Sequence, residues 1–187
     1  MNIEESEIYA AELVEREEYH EAERLLISLA DQGSAYAMMA LAWIYENGYL
    51  NGKNVKAAQY YYDRAISHGR TDAYFGLGHL LLGNGRESEA RKVFERGAEK
   101  GHIGCIGELG WMEVHGTGGD VLEAEGQKKL EEASSHGHLL AQSRIVRLEL
   151  SRRPSLIKRI ELLKRRASIM WKTFFELYKN KNSDKVW

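Results

Sequence analysis

Three places in this 187-residue sequence gather side chains capable of chemistry. His136 and His138 stand one residue apart, so two imidazoles could offer lone pairs to a metal ion. A zinc site needs three or four such ligands, and no second pair at ligand spacing joins them. Gly116-Thr117-Gly118-Gly119-Asp120 has the glycine content of a loop whose backbone N–H groups cradle phosphate. It lacks the preceding strand and the Lys-Ser/Thr ending that give such a loop its mechanism. Cys105 is the one thiol, and a thiol is a nucleophile only where its surroundings favour the thiolate. Without a second cysteine it closes no internal disulfide and builds no cysteine-based zinc site. Carboxylates are plentiful but fall mostly where solvated helix faces are expected. The sequence therefore predicts no catalytic constellation, no metal and no cofactor, and the chain is not expected to be an enzyme.

The elements carrying those residues repeat. Gly33, Gly69, Gly101 and Gly137 are spaced 36, 32 and 36 residues apart, and each closes a helix-like run. Glycine just past a helix end takes the left-handed conformation that a Cβ would penalise. Eleven residues before each glycine stand Ala22, Ala58, Ala90 and Gly126, all small. Seven before stand Leu26, Tyr62, Phe94 and Leu130, all large, and four before stand Leu29, Ala65, Gly97 and Ala133. After the glycine come Ala37, Ala73, Cys105 and Ala141 at four residues, then Leu41, Leu77, Leu109 and Ile145 at eight. Ala42, Gly78, Gly110 and Val146 follow at nine, where two helices could approach closely. These offsets place each set on one helical face. Each unit reads as helix, turn, helix, and buries its apolar faces only by stacking on its neighbours. Cys105 falls in a small-residue slot, which predicts a packed thiol. His68 and His136 each precede a capping glycine, where an imidazolium meets the negative end of a helix dipole.

Composition fits this picture. A hydrophobic content of 43% suits one ordinary domain, and a single proline leaves long stretches free to be helical. Met1-Asn2-Ile3-Glu4-Glu5 is acidic, with no basic region leading into an apolar run, and no stretch approaches the roughly 20 apolar residues of a membrane span. A cytoplasmic protein is expected.

Two stretches carry a family resemblance. Ala37-x3-Leu41-Ala42-x2-Tyr45-x2-Gly48, followed by Lys56-Ala57-Ala58-x2-Tyr61-Tyr62-x2-Ala65-x3-Gly69, resembles a Sel-one-like repeat, a variant of the tetratricopeptide repeat. Cys105-x3-Leu109-Gly110 through Gly116 to Ala133-x3-Gly137 is similar, although Glu113 replaces the usual aromatic. The unit from Ala73 to Gly101 is shorter by one helical turn and closer to a plain tetratricopeptide repeat. The resemblance covers roughly residues 6–150. It implies an all-α fold, a right-handed α/α superhelix of stacked helix-turn-helix repeats. The expected organisation is an N-terminal capping helix pair over 1–33, repeats over 34–69, 70–101 and 102–137, a last repeat helix over 138–153, and a long basic amphipathic helix and tail over 154–187, one domain overall. In this register the loop at Gly116 is the turn between two helices. Some relatives are cysteine-rich and linked to β-lactam chemistry; this chain lacks those cysteines.

In tetratricopeptide-like solenoids the first helix of each unit lines the concave face. The resemblance therefore points the residues ten beyond each glycine, Trp43, His79, Trp111 and Arg147, into a groove. One turn away the same face carries Met39, Phe75, Leu82 and Val114, with Tyr36, Asn47 and His115 nearby. Aligned aromatics with an Arg are the usual makings of a binding hot spot, here for a peptide segment or helix of a protein partner. The alternative is that a neighbouring helix covers them.

Charge is divided unevenly. Residues 1–150 carry 15 Lys and Arg against 25 Asp and Glu, and residues 151–187 carry 11 against 3. Residues 1–31 hold ten acidic groups against Arg16 and Arg24, as a solvated cap or an acidic docking surface would. From Ser155 onward Leu156, Ile160, Leu163, Ala167, Met170, Phe174 and Leu177 trace one helical stripe, with Pro154 and Ser155 at its start. Three readings stand: the stripe closes the end of the solenoid or folds into its groove; it lies on anionic lipid; or it docks to an acidic partner. The last two would use Lys164, Arg165, Arg166, Trp171, Lys172, Phe174 and Phe175. No nucleic-acid motif accompanies the bases, so nucleic acid is not an expected partner. The resemblance implies a non-catalytic protein–protein interaction scaffold or adaptor of the bacterial Sel-one-like type, in signalling, secretion or toxin immunity. A peripheral membrane assembly factor and an enzyme accessory subunit are the alternatives.

Overall fold

A computed structural model of the chain describes residues 2–182; Met1 and the last five residues of the expected C-terminal tail lie outside the described residues. Among the described residues every regular element is an α-helix: α1 (Ile3–Glu15), α2 (Tyr19–Asp31), α3 (Ala35–Asn47), α4 (Val55–Ser67), α5 (Asp72–Gly83), α6 (Glu87–Glu99), α7 (Ile103–His115), α8 (Glu123–Ser135), α9 (Leu139–Ser151) and α10 (Leu156–Asn182). Two compact units are present, Met1–His102 with α1 to α6 and Ile103–Trp187 with α7 to α10.

The ends of the helices are written in local chemistry. Asn2 and Glu5 exchange side-chain and backbone hydrogen bonds of 2.7 and 3.0 Å, a capping box that starts α1. Ser34 Oγ accepts from the Ala37 N–H at 3.0 Å to start α3. Gly33, Gly69, Gly101 and Gly137 all take positive φ, between 76° and 92°, just past α2, α4, α6 and α8. Glu17 takes φ 60° without being glycine, in the tight turn between α1 and α2.

The small and large ladders are the core. Leu26, Tyr62, Phe94 and Leu130 are buried, as are Leu41, Leu77 and Leu109. Each such side chain contributes about 1.5–3 kcal/mol on burial. Small residues permit that packing: a Cβ on Gly126 would meet the Gly110 carbonyl oxygen at 2.5 Å, and one on Gly78 would enter the Phe94 ring. The ladder slips once. Ile145 is only half-buried and Val146 is fully buried, because α9 is followed by α10 rather than by the second helix of another repeat.

Two sequence expectations need correction. The unit from Ala73 is not short by a helical turn. Its helices have 12 and 13 residues, like the others, and the missing residues come from the connection, 84–86 against 48–54 and 116–122. The longer connections fold back alike: the Asn54 N–H donates to the Tyr45 carbonyl at 2.9 Å and the Leu122 N–H to the Glu113 carbonyl at 2.8 Å. The C-terminal stripe, for its part, does not close the end of the repeats. Leu156, Ile160, Leu163, Met170, Phe174 and Leu177 are exposed. The seam against α9 is instead Leu162 and Ile169, seven residues apart, packed on Val146 with Leu139 and Leu150 beside it.

Candidate functional site

The residues singled out for chemistry take part in helix ends, turns and core. His136 Nδ1 donates to the Glu132 carbonyl at 2.9 Å, at the end of α8. His138 Nδ1 accepts from the Ala141 N–H at 3.3 Å and so caps the start of α9. Among the described residues no three His, Cys, Asp or Glu side chains are grouped to hold a metal ion. In the glycine loop the Thr117 N–H donates to the Met112 carbonyl at 2.9 Å and the Gly119 N–H to the Gly116 carbonyl at 3.4 Å, so these donors are spent within the turn. Cys105 is fully buried in α7, and burial pushes its thiol up to about 12, against thiolate formation.

The aromatic residues form clusters, each within one unit. In the first unit Trp43 on α3 leans on Tyr49 of the following turn at 4.8 Å between centroids, and Tyr49 stacks on Tyr19 of α2 at 4.5 Å. Asn47 donates to the Trp43 carbonyl at 2.9 Å, at the exit of α3. Tyr36 and Met39 are half-buried on the same helix. Burial, followed by the nearby Glu7 and Glu15, raises the Tyr36 phenol above its ordinary value. Phe75 and His79 of α5 meet edge to face at 4.4 Å, and both touch Phe94. His102 lies 5.6 Å from Phe75, and burial holds its pKa below the usual histidine range while Asp72 opposes this. Leu82 is half-buried.

In the second unit Trp111 sits under two guanidinium groups, Arg144 at 5.2 Å and Arg147 at 5.5 Å from its ring. His115 packs against its indole at 3.9 Å and donates from Nδ1 to the Trp111 carbonyl at 3.0 Å. Arg144 is anchored from below by Glu108, at 2.7 Å, and by the Gly107 carbonyl at 3.2 Å. Arg147 is the exposed member. Trp43 with Asn47, Phe75 with His79, and Trp111 with His115 and Arg147 are thus neighbours. Tyr19, Tyr49, His102 and Arg144 were not legible as members. Tyr49 sits in a turn and Tyr19 at a helix start, outside every repeated offset.

On α10, Trp171, Phe174 and Phe175 are exposed, with Lys164, Arg165, Arg166 and Lys172. A cleft of about 530 Å3 between the second half of this helix and the α8–α9 turn is lined by Gly137, Leu139, Trp171, Lys172, Phe175 and Glu176.

No family model and no curated protein matches the sequence. Solved structures do. A Sel1 repeat protein from Oxalobacter formigenes aligns with a TM-score of 0.61 at 26% identity, over 67% of this chain and 52% of its own. A protective antigen of uropathogenic Escherichia coli strains that displays an SLR fold gives 0.61 at 24% identity, over 68% of this chain and 28% of its own. The chain carries Sel1-like repeats. Nearly identical TPR-like repeats of a Podosopora anserina protein named for the kinesin light chain give 0.58 at 17% identity, over 91% and 96% of the two chains. The chain therefore spans about half of the first of these proteins and about a quarter of the second. Folds of this kind generally mediate protein–protein interaction and are typically non-catalytic.

The Sel1-like register also explains Glu113. Twelve residues after the first repeat glycine stands Tyr45, and eight before the second stands Tyr61; their rings stack at 5.7 Å. The same two slots of the third repeat hold Glu113 and Lys129, joined by a 2.8 Å ion pair in which Glu113 is buried. The middle repeat fills them with buried Leu81 and Val93. An aromatic stack, an aliphatic pair and an ion pair occupy one position of the fold. Tyr45 also donates to Glu23, and burial together with that bond raises its phenol well above the usual range.

Proposed function

We propose that the chain is a non-catalytic scaffold or adaptor that grips a segment of a protein partner with the aromatic clusters borne by its first-of-pair helices. The observation that carries this reading is the Tyr19–Trp43–Tyr49 stack. Three rings are held against one another at 4.5 and 4.8 Å, yet Tyr49 remains exposed and Trp43 and Tyr19 only half-buried. Rigid aromatic surface that needs no further ordering is what a binding hot spot requires. Trp111 supports the same reading in the second unit, with Arg147 as a neighbouring donor for an acidic or carbonyl-bearing group.

The test is capture from the native host by the full-length chain, followed by titration calorimetry with the purified prey. Trp43→Ala and Trp111→Ala should each weaken that complex by about 2 kcal/mol, on the order of thirtyfold in Kd. Unchanged affinity in variants of unchanged helicity removes the aromatic clusters from the account.

A further inference from the structure

α10 meets the rest of its unit along one narrow seam. Leu162 and Ile169, two turns apart, are 2% and 5% exposed against α9. At about 100° per residue, a second apolar stripe lies roughly 130° round the helix from that seam. Ile160, Leu163, Met170, Trp171 and Phe174 run along it, between 47% and 69% exposed. Trp171, Phe174 and Tyr178 follow one another at ring separations of 6.1 and 6.3 Å, concentrating the aromatic surface in the second half. Contiguous exposed apolar surface of this extent marks something that covers it.

The charges around the stripe say what that is. Between Leu156 and Lys179 stand seven Lys and Arg against Glu161 and Glu176. Helical spacing places Arg159 and Arg166 beyond one edge of the stripe, and Lys164 at the other with Lys172 further round. An apolar and aromatic face bordered by bases on both sides is the pattern of a helix lying in the plane of a membrane. We infer that α10 is an interfacial helix that lays this stripe on an anionic lipid bilayer, its bases meeting the phosphates. No described helix is long and apolar enough to cross a membrane, so α10 lies along the surface.

Other occupants fit less well. Two copies meeting stripe to stripe would bring together helices that each carry six net positive charges. The acidic α1 and α2 of another copy have the complementary sign, but 13-residue helices reach only about 20 Å along an α10 of about 40 Å. A planar surface meets the whole length. This inference uses no residue of the aromatic clusters on the other helices, so it stands or falls separately from the adaptor reading.

The full-length chain should float with phosphatidylcholine vesicles containing phosphatidylserine, more weakly at high salt, and much less with pure phosphatidylcholine. Trp171→Ser with Phe174→Ser should lower the partition coefficient at least tenfold. Lys164→Gln with Lys172→Gln should lower it about fivefold per charge. All four side chains are exposed, so circular dichroism should match the parent and flotation should report the surface alone. The inference is overturned if the parent stays off phosphatidylserine vesicles at low salt, or if the serine variant floats as well as the parent. It is overturned equally if sedimentation shows a dimer that the serine substitutions convert to monomer, which would make the stripe an interface between copies.

Discussion

Replacing Gly110 by Ala tests the packing on which the repeats depend. Gly110 lies in the middle of α7, so an alanine there gains about 1 kcal/mol of helix propensity. Its Cβ, however, would stand 2.7 Å from the Gly126 carbonyl oxygen and 3.0 Å from the Leu130 nitrogen. Both are backbone atoms of α8 and cannot swing aside. Restoring ordinary contact, near 3.4 Å, requires the helices to part by about 0.7 Å. A gap of that size forfeits roughly a quarter to a half of the dispersion attraction across the seam. Overpacking of this kind costs about 1–3 kcal/mol, and rigid backbone neighbours put Gly110 at the upper end. Net of propensity, Gly110→Ala should destabilise by about 2 kcal/mol, or about 4–8 °C in Tm for a chain of this size. Gly83→Ala is the control, because no heavy atom lies within 4 Å of its Cβ position at the end of α5. That variant should be neutral or slightly stabilising. Gly126→Ala opens the same seam from the other side, so the double variant should cost less than the sum of the two. The assay is urea and thermal unfolding followed by far-ultraviolet circular dichroism. If Gly110→Ala has the sign of Gly83→Ala, the close approach of α7 and α8 is not what holds this repeat.

The buried pair of Glu108 and Arg144 should show the asymmetry of desolvated charge. Arg144→Met leaves Glu108, 2% exposed, without its guanidinium and should cost about 3–5 kcal/mol in urea unfolding, whereas Glu108→Leu with Arg144→Met should recover most of that. Cys105, buried and shifted towards the thiol, should resist a disulfide-exchange reagent at pH 8 in the native protein and react fully once guanidinium unfolds it; rapid labelling of the folded chain would contradict the packed-slot assignment.

The helix pairs were legible because their determinants are local. A glycine at positive φ ends a helix whatever surrounds it, and a small residue opposite a large one fixes the distance between two helices. Gly33, Gly69, Gly101 and Gly137 and the ladders counted from them needed no tertiary knowledge. The short 84–86 connection reads in the sequence as a short helix, because a shortfall of four residues equals about one helical turn in either place. α10 failed differently. Its periodicity was visible, but a seam of two large residues, Leu162 and Ile169, is weaker as a pattern than the seven-residue stripe that faces solvent. Period identifies a face and says nothing of what covers it. Tyr19, Tyr49 and Arg144 escaped because they reach Trp43 and Trp111 from positions the repeat does not index.

That difference separates positions the fold requires from positions it leaves at the surface. The slots four, eight and nine residues after each glycine are fixed in size by the neighbouring helix; in the last repeat the large residue merely shifts by one position, from Ile145 to Val146. One slot, half-buried in the first repeat and buried in the next two, takes three chemistries as its mate changes with it: Tyr45 with Tyr61, Leu81 with Val93 and Glu113 with Lys129. Ten residues after the glycine the side chains vary more widely in size and polarity. Trp43, His79, Trp111 and Arg147 are half-buried or exposed, and of the four His79 rests its ring against the buried Phe94. On the adaptor reading proposed above, partner affinity is set at these positions, and substitutions there should change it while the helices stay where Gly110 and Gly126 hold them.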